Sequence, residues 1–235
     1  MRRILKYIIS AGLLILLPCL VQAQGIRWVP SQVKIGTDLS YAGISLASRE
    51  RRQFEINTDI DFYNLFLVGD FGIADYRLNS SSFTYNHSGI YHRIGIDYNF
   101  FFFINAENAI YMGARYSATR FSESFGYGFA DPVFGDFAED INDIDRRANW
   151  FEVVAGMKVN VWKGLFLGFT GRFKIGQTLS SDPSTFSTYR VPAWGNTGTD
   201  SMWGLNYQIF YRIPIRKRKS FEYKARETEA DVEEE

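Results

Sequence analysis

Eight stretches of this chain alternate apolar and polar side chains, and the connections between them are short and long by turns. Successive Cβ atoms of a strand point to opposite sides, so alternation at period 2 gives each stretch one apolar and one polar face. The stretches are 33–45, 53–62, 65–76, 88–100, 109–121, 149–161, 165–176 and 201–214. In the first, Val33, Ile35, Leu39 and Tyr41 oppose Lys34, Asp38 and Ser40. In the second, Phe54, Ile56, Ile60 and Phe62 oppose Glu55, Asn57, Asp59 and Asp61. In the fourth, Ile90, Ile94, Ile96 and Tyr98 oppose Arg93, Asp97 and Asn99.

Connections after the second, fourth and sixth stretches are short, whereas those after the third, fifth and seventh (79–87, 122–148 and 177–200) are long. Outer-membrane barrels show this asymmetry, with tight periplasmic turns and longer external loops. Strand lengths match the roughly 9–11 residues of a tilted crossing. The expectation is an all-β fold, a transmembrane antiparallel up-and-down β-barrel of eight strands over residues 24–215.

The polar faces carry seven acids (Asp38, Glu55, Asp59, Asp61, Asp70, Asp97 and Glu152) and seven bases (Lys34, Arg93, Arg115, Lys158, Arg172, Lys174 and Arg212). An eight-strand barrel has an interior that side chains just fill. Charges inside it must be paired or hydrated, because burying a lone charge is very costly. Equal numbers allow pairing, and Asp59, Asp70, Arg93, Asp97, Arg115, Glu152, Lys158 and Arg172 are the candidate lumen network. Aromatics gather near the strand ends: Phe62, Tyr63, Phe66, 100–103, Trp162, Phe166, Phe210 and Tyr211 at one, Tyr41, Tyr76, Tyr91, Phe121, Trp150, Phe151 and Trp203 at the other. Two aromatic belts at the headgroup levels are the expectation. The rival is a soluble barrel of lipocalin type, with the apolar residues turned inward around a ligand.

Residues 1–23 have the parts of a cleaved secretory signal: Arg2, Arg3 and Lys6, an apolar run over 7–17, and small residues ending at Ala23. The single cysteine, Cys19, lies inside that segment, which excludes disulfides and cysteine metal sites from the mature chain. Basic and acidic residues number 26 each, so nothing favours a nucleic-acid partner. The charged stretch 216–235 reads as a disordered periplasmic tail.

Catalytic signals are weak. His92 and Ser88 share the lipid-facing register, but no acid on that face completes a hydrolase triad. Asp131, Asp136, Glu139, Asp140, Asp143 and Asp145 crowd one long loop without the spacing of an EF-hand, so a solvated loop is favoured over a calcium site. No phosphate-binding loop occurs, and no catalytic residue, metal ligand or cofactor is assigned.

The stretches 94–100, 110–116, 150–158, 165–169, 203–207 and 213–215 resemble a domain-of-unknown-function family of outer-membrane barrel proteins from Bacteroidota. More loosely, the chain is similar to small eight-stranded barrels of the OmpA and OmpX kind. The resemblance implies a Gram-negative outer-membrane location and no activity. The leading expectation is therefore a non-enzymatic wall in contact with outer-membrane lipid and lipopolysaccharide. An extracellular partner would bind at 79–87, 122–148 and 177–200. A narrow channel or small-ligand or lipid carrier is the second reading, with Arg93, Asp97, Arg115, Lys158 and Arg172 touching the solute. A lipid-modifying hydrolase is the third.

Overall fold

A computed structural model describes residues 29–62, 64–80, 83–101, 108–131, 135–180 and 187–216, without the side chains of 129–131, 136 and 143. The expected signal segment 1–23 and the tail beyond residue 216 lie outside the described residues. The elements are β1 (Gln32–Asp38), α1 (Leu39–Ala47), β2 (Arg51–Phe62), β3 (Leu65–Asn79), β4 (Phe83–Asn99) and β5 (Ala109–Asp131). They continue as β6 (Gly135–Trp162), β7 (Leu165–Ser180), β8 (Arg190–Val191), β9 (Gly195–Asn196) and β10 (Ser201–Pro214). Eight strands close into an antiparallel barrel in the order β1-β10-β7-β6-β5-β4-β3-β2, and β8 and β9 form a separate small hairpin. The ring is sealed by β1 against β10, from Gln32 opposite Pro214 to Asp38 opposite Gln208.

Alternation sorts the two faces as expected. Phe71 and Ile94 are 53% and 59% exposed on the outside, while Glu55, Arg93 and Arg172 are fully buried inside. The lipocalin-type arrangement, with apolar residues inward, is thereby excluded. The tight 162–164 turn follows from its backbone: Lys163 and Gly164 have φ of 32° and 93°. Such primed geometry matches the twist of the flanking strands and favours glycine.

Four expectations need correction. First, 33–45 is not one strand. β1 ends at Asp38, whose carboxylate accepts from the N–H groups of Ser40 (2.7 Å) and Tyr41 (3.3 Å). An aspartate in this position caps a helix N-terminus by satisfying its orphan donors, and α1 starts there. Leu39 and Tyr41 therefore sit on a helix, with Tyr41 buried.

Second, most of 122–148 is not a loop. β5 and β6 continue as a paired ribbon from Phe125 opposite Ile141 to Asp131 opposite Gly135, beyond a bulge near Glu123. At about 3.3 Å per residue the ribbon rises roughly 30 Å above Phe121. Likewise 83–87 belongs to β4 rather than to a loop.

Third, the described parts of 177–200 are not a free loop. β7 runs on to Ser180, and β8–β9 folds into the barrel mouth with Val191 and Trp194 buried.

Fourth, many belt aromatics face inward: Phe66, Phe166 and Phe210 at the short-turn end, Tyr91, Phe121 and Trp150 at the mouth. Inward glycines make room for inward rings. A Cβ on Gly72 would lie 2.2 Å from the Tyr91 ring, and one on Gly156 would lie 2.6 Å from the Tyr111 hydroxyl. Trp162, Tyr211, Phe100, Phe151 and Trp203 do point outward.

Candidate functional site

The lumen holds three layers of side chains. At the short-turn end, inward aromatics surround two lysines. Lys158 lies 4.7 Å from the Tyr111 ring centre and 5.0 Å from that of Phe210, and Lys34 lies 4.8 Å from that of Phe66. An ammonium over an aromatic face is attracted by the ring quadrupole, more so when desolvated. Lys158 also donates to Asp59, and Lys34 approaches Asp61 at 3.8 Å.

The middle layer is a guanidinium–carboxylate network. Arg93 donates to Glu55 (2.5 Å) and Glu152 (3.2 Å), and Arg115 to Asp70 (2.7 Å) and Asp97 (2.9 Å). Arg172 donates to Glu152 (3.0 Å), Asp70 (3.3 Å) and Asn206. Neutral groups complete it: the Tyr91 hydroxyl donates to Glu55 (2.6 Å), Asn57 to Asp70 (2.8 Å) and the Trp150 indole to Glu152 (2.7 Å). Planar guanidinium donors suit such shared carboxylates, and each bond is strengthened where water is scarce.

The top layer is one that alternation in the predicted strands did not reveal. Arg146 pairs with Glu123, which also accepts from the hydroxyls of Tyr85 (2.9 Å) and Thr188 (2.8 Å). Trp194 packs edge-on against Trp150 at 5.7 Å between ring centres. The Lys174 ammonium donates to the carbonyls of Ala193 (2.6 Å) and Trp194 (3.0 Å), fastening β8–β9 in the mouth. The period-2 beat does continue through 121–123 and 146–148, and that signal could have placed Glu123 and Arg146 inside.

All eight candidate network residues are buried and engaged with one another or with Glu55. The remaining charges do not divide into simple pairs. Asp38 caps α1 and accepts from Asn206, Lys174 holds backbone carbonyls, and Arg212 stacks over Phe166 at 5.6 Å. A helix end and a carbonyl pair thus stand in for two of the expected ionic partners.

His87 turns inward and is buried between Tyr76 (5.6 Å, stacked), Tyr85 and Phe121. It lies three residues above Ile90, the last outward apolar residue of the β4 band. Burial first, then the nearby Arg190 charge, lowers its pKa from 6.5 to about 4, so the ring is neutral at pH 7. His92 and Ser88 point outward, as the register predicts. The acidic stretch is spread along the ribbon: Glu139 accepts from the Tyr127 hydroxyl (2.7 Å) and Asp145 from Arg120 (2.8 Å). Among the described residues no group of three or more His, Cys, Asp or Glu is placed to hold a metal.

A family model described as a domain of unknown function, DUF6048, matches residues 4–218. The chain belongs to that family. The matched range of this DUF6048 member includes every stretch that carried the sequence resemblance, and the description assigns no activity. None of the curated proteins matches the sequence. Among solved structures the chain is similar to the N-terminal β-barrel domain of Pseudomonas aeruginosa OprF, at 7% identity over 78% of this chain and 98% of that one, TM-score 0.33. It is also similar to Ail, the attachment invasion locus protein of Yersinia pestis, at 11% identity over 78% of this chain and 97% of that one, TM-score 0.37. Neither likeness bears on what this chain does.

Proposed function

We propose that the chain is a non-enzymatic, non-conducting barrel of a Gram-negative outer membrane. Its wall anchors the β5–β6 ribbon and neighbouring strand ends at the cell surface for contact with an extracellular partner. The observation that carries this reading is the filled lumen. Arg93, Arg115 and Arg172 are spent on Glu55, Asp70, Asp97 and Glu152, and β8–β9 is tied into the mouth above them. The outward apolar band supports a lipid environment, since only a closed barrel can satisfy strand backbone groups there. The ribbon offers exposed Phe137, and its Phe125 stacks on Phe83 at the end of β4 (6.2 Å).

The channel reading needs Arg93, Asp97, Arg115, Lys158 and Arg172 to meet a solute, but each has protein partners at hydrogen-bond distance. A hydrolase would need an acid beside His92, whose wall neighbours by register are Phe71 and Ala118. Planar-bilayer recording with heat-shift-verified folded protein tests the reading. Silence is expected, and reproducible unitary current would overturn it.

A further inference from the structure

The wall is incomplete on the mouth side. β1 stops with Thr37 opposite Ile56 and Asp38 opposite Gln208, yet β2 continues up to Arg51 and β10 to Ser201. α1 occupies the interval in place of a strand. Its Ser45 hydroxyl accepts from the Gln53 N–H (2.8 Å) and shares its one proton between the carbonyls of Tyr41 (2.8 Å) and Gln53 (3.1 Å), so the helix is sewn to β2. On β10 the Ser40 hydroxyl accepts from the Tyr207 N–H (2.7 Å). Backbone groups of a strand face the same neighbour every second residue, so Leu205 and Trp203 turn their edge toward the gap too. Their side chains are 66% and 75% exposed. Open sheet edges are not tolerated against hydrocarbon, because their polar groups find no hydrogen-bond partner there.

Behind the gap lies a cavity of about 240 Å³ that reaches from Ile44 and Leu205 to Arg51, Arg190 and Trp194. Arg51 donates to the Gln53 side chain (2.9 Å) and Arg190 lies over the Tyr76 ring (5.0 Å). Among the described residues neither forms an ion pair, although each guanidinium carries five donors. The indole N–H of Trp194, a residue 1% exposed, has no hydrogen-bond partner among the described residues. Asp75 is the one acid among the described residues that line the cavity, against Arg51, Arg190 and the carbonyl-bound Lys174. A buried donor without an acceptor, the Trp194 indole N–H, beside two guanidinium charges makes an anion site.

We propose that this cavity takes the anionic headgroup of a membrane lipid that enters sideways between α1 and β10. Its acyl chains lie outside along Ile44, Trp203 and Leu205. The volume decides the split: small-molecule pockets commonly run about 300–1,000 Å³, so this one holds a headgroup and leaves the chains outside. The lipid's headgroup oxygens, unlike its chains, can also accept from the β10 N–H groups that α1 leaves open. The inference rests on the barrel lying in a membrane, and it is independent of the silent lumen.

The test titrates the full chain, folded in a non-ionic detergent, with dihexanoyl phosphatidylglycerol, dihexanoyl phosphatidylcholine and inorganic phosphate. Tryptophan fluorescence and native mass spectrometry read the binding. Phosphatidylglycerol is expected to bind about tenfold or more tighter than phosphatidylcholine. Arg51→Gln/Arg190→Gln should abolish that preference, while Arg120→Gln, at an exposed guanidinium, keeps it. Equal binding of the two lipids by folded protein overturns the proposal. So does inorganic phosphate binding as tightly as the lipid, and so does an unchanged preference in the double variant. Should that variant fail the heat-shift check, the three-ligand comparison on the unaltered chain decides alone. Bilayer recording on the same preparation keeps the readings apart: current with intact lipid preference removes only the plugged wall, and silence with equal lipid binding removes only this site.

Discussion

Lys158 on β6 donates to Asp59 on β2 across the whole lumen, from strands four places apart in a closed ring of eight. Arg172 on β7 and Asp70 on β3 stand in the same relation at 3.3 Å. An eight-strand ring is narrow enough for two side chains to span, so these contacts tie opposite walls together.

Removing one member of such a pair strands a buried charge, which costs about 3–5 kcal/mol. Lys158→Met alone and Asp59→Leu alone should each lower the urea midpoint of the folded barrel, read by the heat-shift gel. The double variant should recover most of the loss, because a packed apolar pair costs little relative to the ion pair. A double variant as unstable as the sum of the singles would contradict the contact.

Lys174→Met should loosen β8–β9, since its ammonium holds the Ala193 and Trp194 carbonyls. Faster protease cleavage within 187–200 is expected. The bilayer should still be silent, because the Arg93–Glu55 and Arg115–Asp70 layer lies below. Current from this variant alone would assign the seal to β8–β9 instead.

His87 makes the mouth sensitive to acid. Its pKa falls from 6.5 to about 4 in the closed mouth, so the open form binds more protons between those values. Closure is fully favoured above pH 6.5 and weakens progressively as pH falls toward 4. The most it can lose is roughly 3 kcal/mol, at 1.36 kcal/mol per pH unit. Arg190 and Arg51 oppose the ring's protonation, and Asp75 favours it. Hydrogen exchange in 187–197 should rise over that window, and His87→Phe should flatten the profile. An unchanged slope in the variant would assign the acid response elsewhere.

Deleting 126–140 should leave the barrel folded. The ribbon lies beyond the bulge, and its Tyr127–Glu139 hydrogen bond is exposed. Exposed pairs of this kind contribute little, and a two-stranded ribbon is marginal by itself. The heat shift should persist with a urea midpoint close to that of the full chain. Loss of the folded band would mean that the ribbon is structural rather than presented.

Much of the wall was legible in the residues. The boundaries of β10, the start of β5 and the outward set Phe54, Ile56, Ile94 and Ile96 follow from alternation alone. Tyr91, Phe121 and Trp150 were misplaced because proximity to a strand end says nothing about face, whereas parity along the strand does. α1 was missed because Leu39 and Tyr41 extend the period-2 pattern by two positions, while the competing signal, the Asp38 helix cap, is a single side chain. The ribbon was missed because Gly126, Gly128, Gly135 and the acids of 131–145 give 122–148 a loop's composition, although Phe121, Phe125, Tyr127 and Phe129 keep the period-2 beat.

What the sequence by itself determined is the two-faced strand, because the direction of successive Cβ atoms is a local covalent property. It put lipid-compatible residues on one side and fourteen charges on the other. Which charges meet was decided only by closure of the ring, since β2 and β6 become opposite walls through the β1–β10 seam. The same closure set β1, cut short where Asp38 caps α1, between the longer β10 and β2, and so produced the gap that α1 occupies. Partners that distant in the chain are set by the curvature and register of the whole sheet, to which no single segment holds the key.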